Sequence, residues 1–265
     1  MEQVQQSFGR VAPQTLDEAL ALLARREAEL AALRMAQQEW MHAVSHDLRA
    51  PLRHLLAFNP LVAELLESAS PSAEDLEEAR SFLQTMEQSS QRMAAMFDGL
   101  LQLNRAQSHV LQLQPVDLQA LLLGIGQRLQ AGSKGRSIEW CLPAAAPMLQ
   151  ADPHLLEQAL SAALANAVKF TRTMSLARIQ VDVQRDGQGG CCISVTDNGV
   201  GFEQARAGKL FGVFQRMHRE AEFEGLGVGL ALVRDVCRRH GGEAEIQAQL
   251  NAGCQLQMHW PTCLP

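Results

Sequence analysis

The sequence predicts an α-helical hairpin followed by an α/β sandwich, and three observations support this fold class. Residues 15–111 are rich in Leu, Ala, Glu, Gln and Arg and contain almost no glycine. Residues 113–265 alternate period-2 stretches with helical stretches and hold most of the 19 glycines. The 265 residues, 47% of them hydrophobic, are enough for one large or two modest domains with their own cores.

The first helical stretch carries a leucine stripe, with strong helix formers between the leucines. Three of the leucines fall a heptad apart and two lie on the adjoining positions: Leu16, Leu23, Leu30, Leu20 and Leu33. This pattern predicts a long helix that self-associates as a short coiled coil before residue 40. We assign residues 1–39 to this N-terminal helix.

The helical half is broken once, at E-S-A-S-P-S-A-E-D, residues 67–75. Ser72 is a suitable N-cap, and Glu74 and Asp75 place acids in the first turn, so a second helix should begin near 73 and run to about 111. Two antiparallel helices cannot bury both apolar faces alone. We therefore expect residues 40–112 to form a homodimer with a four-helix bundle.

The pattern of predicted strands and helices in the second half, residues 113–265, indicates a mixed sheet covered on one face by helices. L-Q-P-V-D, residues 113–117, is predicted to be an irregular break between the two halves. Further on, two period-2 runs (177–185 and 191–197) are joined by D-G-Q-G-G, which predicts a hairpin. The other predicted elements are a helix at 117–131, strands in S-I-E-W-C-L and P-M-L-Q-A-D, a helix from Pro153 to Phe170, a helix at 227–240 and strands at 243–249 and 254–260.

Composition excludes several classes of protein. The net charge of −6 argues against a nucleic-acid binder, and no apolar run approaches the roughly 20 residues that cross a bilayer. The start, M-E-Q-V-Q-Q, is not a signal peptide. The six cysteines show no C-x-x-C spacing, so we expect reduced, buried thiols in a cytoplasmic protein.

Two glycine clusters indicate an anion site. D-N-G-V-G-F follows a strand, and G-L-G-V-G-L opens a helix, where backbone N–H groups and the helix dipole favour phosphate. Neither matches a Walker A loop or a Rossmann fingerprint. Upstream, Asn166 and Lys169 share a helix face, and an amide oxygen suits Mg²⁺ while an ammonium suits phosphate oxygens. Each feature alone also fits ordinary turns and a solvated helix face.

Taken in order, these segments resemble a two-component sensor histidine kinase over residues 35–262. S-H-D-L-R-A-P-L resembles the phospho-acceptor box, N-A-V-K-F the Asn box, and D-N-G-V-G-F and G-L-G-V-G-L the two glycine boxes. L-F-G-V-F-Q-R-M-H, at 210–218, resembles the Phe box, in a form most similar to kinases related to bacterial phytochromes. The resemblance implies the Bergerat-type (GHKL) ATP-binding fold shared with gyrase, Hsp90 and MutL.

The resemblance also assigns the residues that carry the reaction. His46 would take the γ-phosphoryl group of ATP, and the neighbouring Asp47 would accept or orient the proton of the other ring nitrogen. Asp197 would accept a hydrogen bond from the adenine amino group. The residues implied to bind ATP, with Asn166 also holding Mg²⁺, are Asn166, Lys169, Asp197, Gly199, Gly201, Phe211, Phe214, Arg216, Gly225, Gly227 and Gly229. The two phenylalanines would pack the lid down, and Arg216 would meet a phosphate.

Pro51 follows the histidine by five residues and lacks the N–H that would bond the carbonyl of Asp47. We expect the helix to bend there and to act as a hinge; the alternative is a tolerated kink without a switching role. His42 lies one turn before His46, but no third or fourth ligand is near, so we expect no metal at this pair. His54 and His109 are read as surface or bundle residues, and His218, in the lid motif, has no assigned role.

Two positions depart from the family pattern. Ala162 stands where the family commonly has Asn or an acid, so we expect slow ATP hydrolysis by water, weaker Mg²⁺ binding and a modest kinase rate. Ala50 stands four residues after the histidine, where phosphatase-active members carry Thr or Asn, so we expect weak phosphatase activity.

Two alternatives remain open: an ATP-driven conformational machine of the gyrase and Hsp90 kind, and a pseudokinase that serves as a dimeric scaffold. In the leading hypothesis the partners are a second copy, a response regulator receiver domain and an upstream sensor module or protein. We expect that module to lie outside these residues.

Overall fold

The computed structural model describes residues 15–67, 72–187, 189–218 and 222–263. The predicted loop between the two long helices falls mostly on 68–71, outside these residues, as does the chain before 15. The chain forms two compact units, one ending at His46 and one beginning at Asp47.

Two long helices make up the helical half. Helix α1 spans Leu16–Glu67 and continues through Pro51 and Pro60 as one unbroken helix. A hinge at Pro51 therefore remains a prediction. Helix α2 spans Ala73–Ser108, three residues shorter than expected, and its start is confirmed: Ser72 and Asp75 form a reciprocal capping box.

The second half contains seven strands and three further α-helices among the described residues. These are β1 (Gln114–Asp117), α3 (Leu118–Gly132), β2 (Ile138–Cys141), β3 (Met148–Ala151), α4 (Pro153–Phe170), β4 (Ala177–Arg185), β5 (Cys191–Asp197), α5 (Gly229–Arg239), β6 (Glu243–Gln249) and β7 (Gly253–Trp260). A short 3-10 helix, Gln204–Lys209, interrupts the irregular stretch before α5.

Five strands form one mixed sheet in the order β2-β4-β5-β7-β6, in which only β2 and β4 run parallel. Strand β4 buries Ala177, Ile179 and Val181 and exposes the residues between them, so one face is covered. Helices α4 and α5 pack on that face, and α3 packs on α4. The predicted mixed sheet with helices on one face is confirmed.

One segment that was predicted to be an irregular break is a strand. Residues 114–117, read as a break, form β1, which pairs antiparallel with β3 as a separate two-stranded sheet. Pro115 is tolerated because this strand is short and has a single strand partner. The expected helix at 117–131 accordingly begins one residue later, with Asp117 as its N-cap.

All six cysteines are free thiols. Cys191 and Cys237 are buried as expected, but four others are only partly buried: Cys141, Cys192, Cys254 and Cys263. Among the described residues, no helix has a long enough apolar window to cross a bilayer.

Candidate functional site

The phospho-acceptor segment lies on α1. The imidazole of His46 is exposed and Asp47, the next residue, is half-buried. An exposed ring on a helix is accessible to a reaction partner. Within the described part of the chain, no group of three His, Cys, Asp or Glu side chains could hold a metal ion.

A cavity of about 440 Å³ opens between α4, α5, the end of β5 and the irregular stretch that precedes α5. We call residues 203–218 and 222–226 of that stretch the lid. Eight predicted ATP-binding residues line the cavity: Asn166, Lys169, Asp197, Gly201, Arg216, Gly225, Gly227 and Gly229. Three others, Gly199, Phe211 and Phe214, lie outside its lining.

Helix α4 presents the amide and the ammonium. Asp152 caps the helix by accepting from the backbone N–H groups of His154 and Leu155, and Pro153 occupies the first turn, as predicted. Asn166 faces the entry of α5: its Nδ2 lies 3.5 Å from where a Cβ on Gly229 would stand. These residues bring a side-chain amide against the N-terminus of α5.

The ammonium of Lys169 lies beside the second glycine cluster. Its Nζ is 3.2 Å from where a Cβ on Gly225 would stand and 4.5 Å from the centroid of the Phe170 ring. Burial, together with the positive charge of Arg216, lowers the pKa of Lys169, while Glu224 opposes that shift. An anion bound here would restore the charge balance.

Asp197 ends β5 inside the cavity and is only 8% exposed. Burial raises its pKa to about 6, although its carboxylate accepts from the Gly199 N–H at 2.8 Å. On β7, Cys254 pairs with Asp197 in register and also lines the cavity. Burial and the Asp197 charge raise the pKa of the Cys254 thiol to about 12, so it stays protonated at neutral pH.

The base of the lid is held by its two phenylalanines. Phe211 and Phe214 are both buried, and Phe214 adopts the left-handed region at φ 61. Its N–H donates to the Gly227 carbonyl at 3.0 Å. Gly227 has φ 75, and a Cβ there would stand 2.5 Å from the Gln215 carbonyl oxygen, so this close approach requires glycine.

The guanidinium of Arg216 lines the cavity and donates to the Phe223 carbonyl at 2.6 Å. Contact between Arg216 and a phosphate remains a prediction.

One wall of the cavity comes from the helical hairpin, which the motifs did not predict. Ala95, Asp98, Gly99 and Gln102 of α2 line it. Other cavity residues that the motifs missed are Phe170, His218, Phe223, Glu224 and Cys254. For Phe170, Phe223 and Glu224, adjacency to Lys169 or to the glycine cluster was an available signal; for the α2 wall there was none.

The end of α2 is fastened to the second half of the chain. Arg239 of α5 donates to the carbonyls of Ala106 and His109, and the Gln107 amide donates to Asp235 at 2.6 Å. His109 Nε2 donates to the buried carboxylate of Asp152 at 2.9 Å. His109, read as a surface or bundle residue, is therefore part of this junction.

Two family models match the chain in this order. The His Kinase A (phospho-acceptor) domain matches residues 36–109, and the histidine kinase-, DNA gyrase B- and HSP90-like ATPase matches residues 151–263. The first range contains His46, and the second contains every residue that was predicted to bind ATP. The chain belongs to the two-component sensor histidine kinases.

Relatives among the histidine kinases support this placement. The phosphate regulon sensor protein PhoR of Pseudomonas aeruginosa is 31% identical, over 90% of this chain and 53% of its own length. The phytochrome-like protein Cph1 of Synechocystis is 28% identical, over 82% of this chain and 28% of its own. The chain spans 26% to 65% of the length of the curated relatives that it matches.

A solved histidine kinase structure shares the arrangement of elements. Full-length ShkA in complex with AMPPNP is similar with a TM-score of 0.56 and 26% identity, covering 86% of this chain and 46% of that one. The helical hairpin followed by a GHKL-type α/β domain is thus the histidine kinase core fold.

Proposed function

We propose that this chain is the catalytic core of a sensor histidine kinase, which moves the γ-phosphoryl group of ATP to His46 and then to an aspartate of a response regulator receiver domain. The observation that carries the proposal is the cavity, which gathers an amide, an ammonium, a buried carboxylate and a glycine-rich helix entry. The acceptor it requires is present as an exposed imidazole in the phospho-acceptor segment. We place the reaction in the cytoplasm, where ATP is available.

Different cavity residues bind the adenine and the phosphates of the nucleotide. The buried carboxylate of Asp197 accepts from the adenine amino group, which selects adenine over guanine because guanine presents a carbonyl at that position. The phosphates lie toward Lys169 and the entry of α5, where backbone N–H groups at Gly227 and Gly229 lack helical partners. No side chain caps α5, which leaves those donors for an anion.

The transfer itself needs little covalent chemistry from the protein. The neutral His46 nitrogen attacks the γ-phosphorus, the N–P bond forms, and the bond to the β-γ bridging oxygen breaks, releasing ADP. Asp47 accepts or orients the proton on the other ring nitrogen and stabilises the positive charge that grows on the ring. In the second step the phosphoryl group leaves His46 for an aspartate carboxylate.

A Mg²⁺ ion fits the residues present only in part. The Asn166 side chain, with its amide oxygen, faces the N-terminus of α5, and it is the protein ligand we propose. Ala162, also next to Gly229, offers no oxygen donor. Mg²⁺ commonly keeps several waters and binds nucleotide phosphates, so one amide ligand is compatible with a bound Mg–ATP. The ion would neutralise charge on the phosphates.

We also propose a homodimer formed through the hairpin. Between 47 and 108, large apolar side chains remain 40% to 68% exposed on both helices: Leu52, Leu56, Leu61, Leu66, Leu76, Leu83, Phe97 and Leu101. Such a surface is typical of an interface rather than of a monomer. Phe97→Glu should shift the molar mass measured by light scattering from dimer to monomer. Leu250→Glu, at an exposed apolar site on the β6–β7 turn, should not.

The incoming signal would reach the core through α1. Its exposed heptad leucines, Leu16, Leu23 and Leu30, are suited to pair with a second copy and to continue an upstream module.

The experiment that tests the kinase proposal uses γ-labelled ATP with Mg²⁺. The expected result is acid-labile, base-stable label on the protein, lost in His46→Gln and retained in His42→Gln. Free labelled phosphate without protein label would indicate the ATP-driven machine, and neither product would indicate the scaffold. Either of those outcomes overturns the proposal.

A further inference from the structure

Three rings from separate segments meet at the cavity. Phe170 ends α4, and His218 and Phe223 belong to the lid; all three line the cavity. Their centroids lie 5.6 Å apart for Phe170 and His218, 5.2 Å for His218 and Phe223, and 5.3 Å for the two phenylalanines. The tilted arrangement is the favourable one for aromatic neighbours. His218 is thus packed between a fixed helix end and the returning arm of the lid.

His218 also has a polar anchor. Its Nε2 donates to the Gly201 carbonyl at 3.0 Å. Gly201 has φ 57, and a Cβ there would clash with the Gln249 carbonyl and stand 2.8 Å from the Gly253 carbonyl oxygen, so this turn is packed tightly against the end of β6 and the start of β7. The histidine therefore ties the lid to a backbone position that cannot shift easily.

The far arm of the lid is held at the same place. Arg172, just after α4, donates to the Glu222 carbonyl, and its guanidinium carbon lies 5.5 Å from the Phe223 centroid. Arg216 donates to the Phe223 carbonyl. Both arms of the lid, on either side of residues 219–221, thus converge on the three rings.

We infer that His218 is a positioning residue that clasps the lid over the nucleotide and so slows nucleotide release. In this proposal the three-ring cluster, which lines the cavity, must part before a nucleotide leaves by the lid side, and parting it breaks the bond from His218 to Gly201. The inference rests on the proposed function, because the ligand is taken to be ATP. His218 does not contact the reacting atoms, so its loss should weaken ATP retention and leave the chemical step intact.

The test measures release of the fluorescent nucleotide mant-ATP from the full chain by stopped flow, displacing it with excess ATP. His218→Phe keeps a ring and loses the hydrogen bond, so release should be about fivefold faster, the ratio that one hydrogen bond is worth. His218→Ala loses both and should release about tenfold faster or more. His259→Ala, an exposed histidine on β7, is the matched control and should release as wild type does.

Steady-state labelling of His46 gives a second readout. The KM for ATP should rise in both variants of His218 while kcat at saturating ATP stays within about twofold, the pattern of lost ground-state binding. His218→Gln, which restores a donor, should recover part of the retention.

Two results would overturn the inference. If wild type binds mant-ATP but His218→Ala and His218→Phe release it at the wild-type rate, the clasp is wrong and the proposed function stands. If wild type binds no nucleotide, the proposed function fails and takes the clasp with it.

Discussion

Gly99, buried in the C-terminal third of α2, lies directly against Val228 at the entry of α5. A Cβ on Gly99 would come within 2.9 Å of the Val228 Cγ2 atom. The same pair of helices meets again at Ala106, which accepts from Arg239, so α2 and α5 run side by side in the same direction. Small residues at 99 and 106 allow this approach, although glycine is a poor helix former.

This contact predicts an unusual response to Gly99→Ala. In an open helical site the change should stabilise by about 0.5 to 1 kcal/mol, because alanine loses less entropy on folding. At Gly99 we expect a net loss of about 1 kcal/mol or more, since the new methyl overpacks against Val228. Urea unfolding measures the difference.

Gly124→Ala in α3 is the control. A Cβ at Gly124 would meet only the flexible end of Arg128, at 3.8 Å. That variant should gain stability. Equal gains at Gly99 and Gly124 would show that the α2–α5 contact is looser than described.

Asp197 predicts a conflict between stability and nucleotide binding. Burial raises its pKa from the ordinary 3.8 to about 6, so keeping it ionised at pH 7 costs the fold about 2 to 3 kcal/mol. Asp197→Asn removes that cost but keeps one acceptor for the Gly199 N–H. We expect its melting temperature to rise by about 4 to 12 °C while mant-ATP binding is lost.

The pH dependence follows from the sign of the same shift. The folded state binds the Asp197 proton more tightly than the unfolded state does, so stability should increase as pH falls from about 7 toward 4. ATP affinity should fall over the same range, because a protonated carboxyl is a weaker acceptor. The difference in the free energy of unfolding between wild type and Asp197→Asn, measured as a function of pH, isolates the contribution of Asp197. Parallel pH profiles of stability for the two proteins would contradict the prediction.

Ala162 predicts that magnesium binding can be improved. It lies four residues before Asn166, and its Cβ is 3.7 Å from where a Cβ on Gly229 would stand. Ala162→Asn adds an amide oxygen beside the proposed site, so the Mg²⁺ concentration for half-maximal His46 labelling should drop several-fold. Ala165→Asn, exposed on the same helix, is the control and should leave the midpoint unchanged. Identical midpoints for the wild type and both variants would show that Ala162 does not weaken Mg²⁺ binding.

Ala50 predicts weak phosphatase activity. It is half-buried on α1, one turn after His46, and its methyl group cannot hydrogen-bond a water. Ala50→Thr should accelerate loss of phosphate from the phosphorylated receiver partner in the presence of ADP, by about tenfold or more as general-base positioning does elsewhere. Ala57→Thr, exposed two turns further along, should not. Rapid dephosphorylation by the wild-type chain would sink the prediction.

The elements predicted best are those whose signals are local. Helix α4 and strands β4 and β5 have the expected bounds, because Pro153 marks a first turn and strict alternation marks each strand. The α2 start was readable because Ser72 and Asp75 cap within one turn. Strand β1 was missed because its order comes from pairing with β3, more than thirty residues away in sequence.

The residues of the site likewise fall into those with a local sequence signal and those without one. Asn166, Lys169, Asp197 and the glycines stand in contiguous motifs, and the structure gathers most of them at one cavity. The α2 wall, Cys254 and the partners of His218 depend on tertiary contacts that no spacing reveals. Gly99, for example, reads in sequence only as a weak point in a helix.

Asp152 gives the junction a mechanical role. One carboxylate caps α4, accepts from His109 and Gln112, and has its own N–H bonded to His240 at the end of α5. The last turn of α2 therefore cannot twist or slide without pulling on the root of the helix that presents Asn166 and Lys169. Torque delivered along the hairpin would therefore reach the proposed magnesium and phosphate ligands through the Asp152 carboxylate, alongside the contacts of α2 with Arg239 and Asp235.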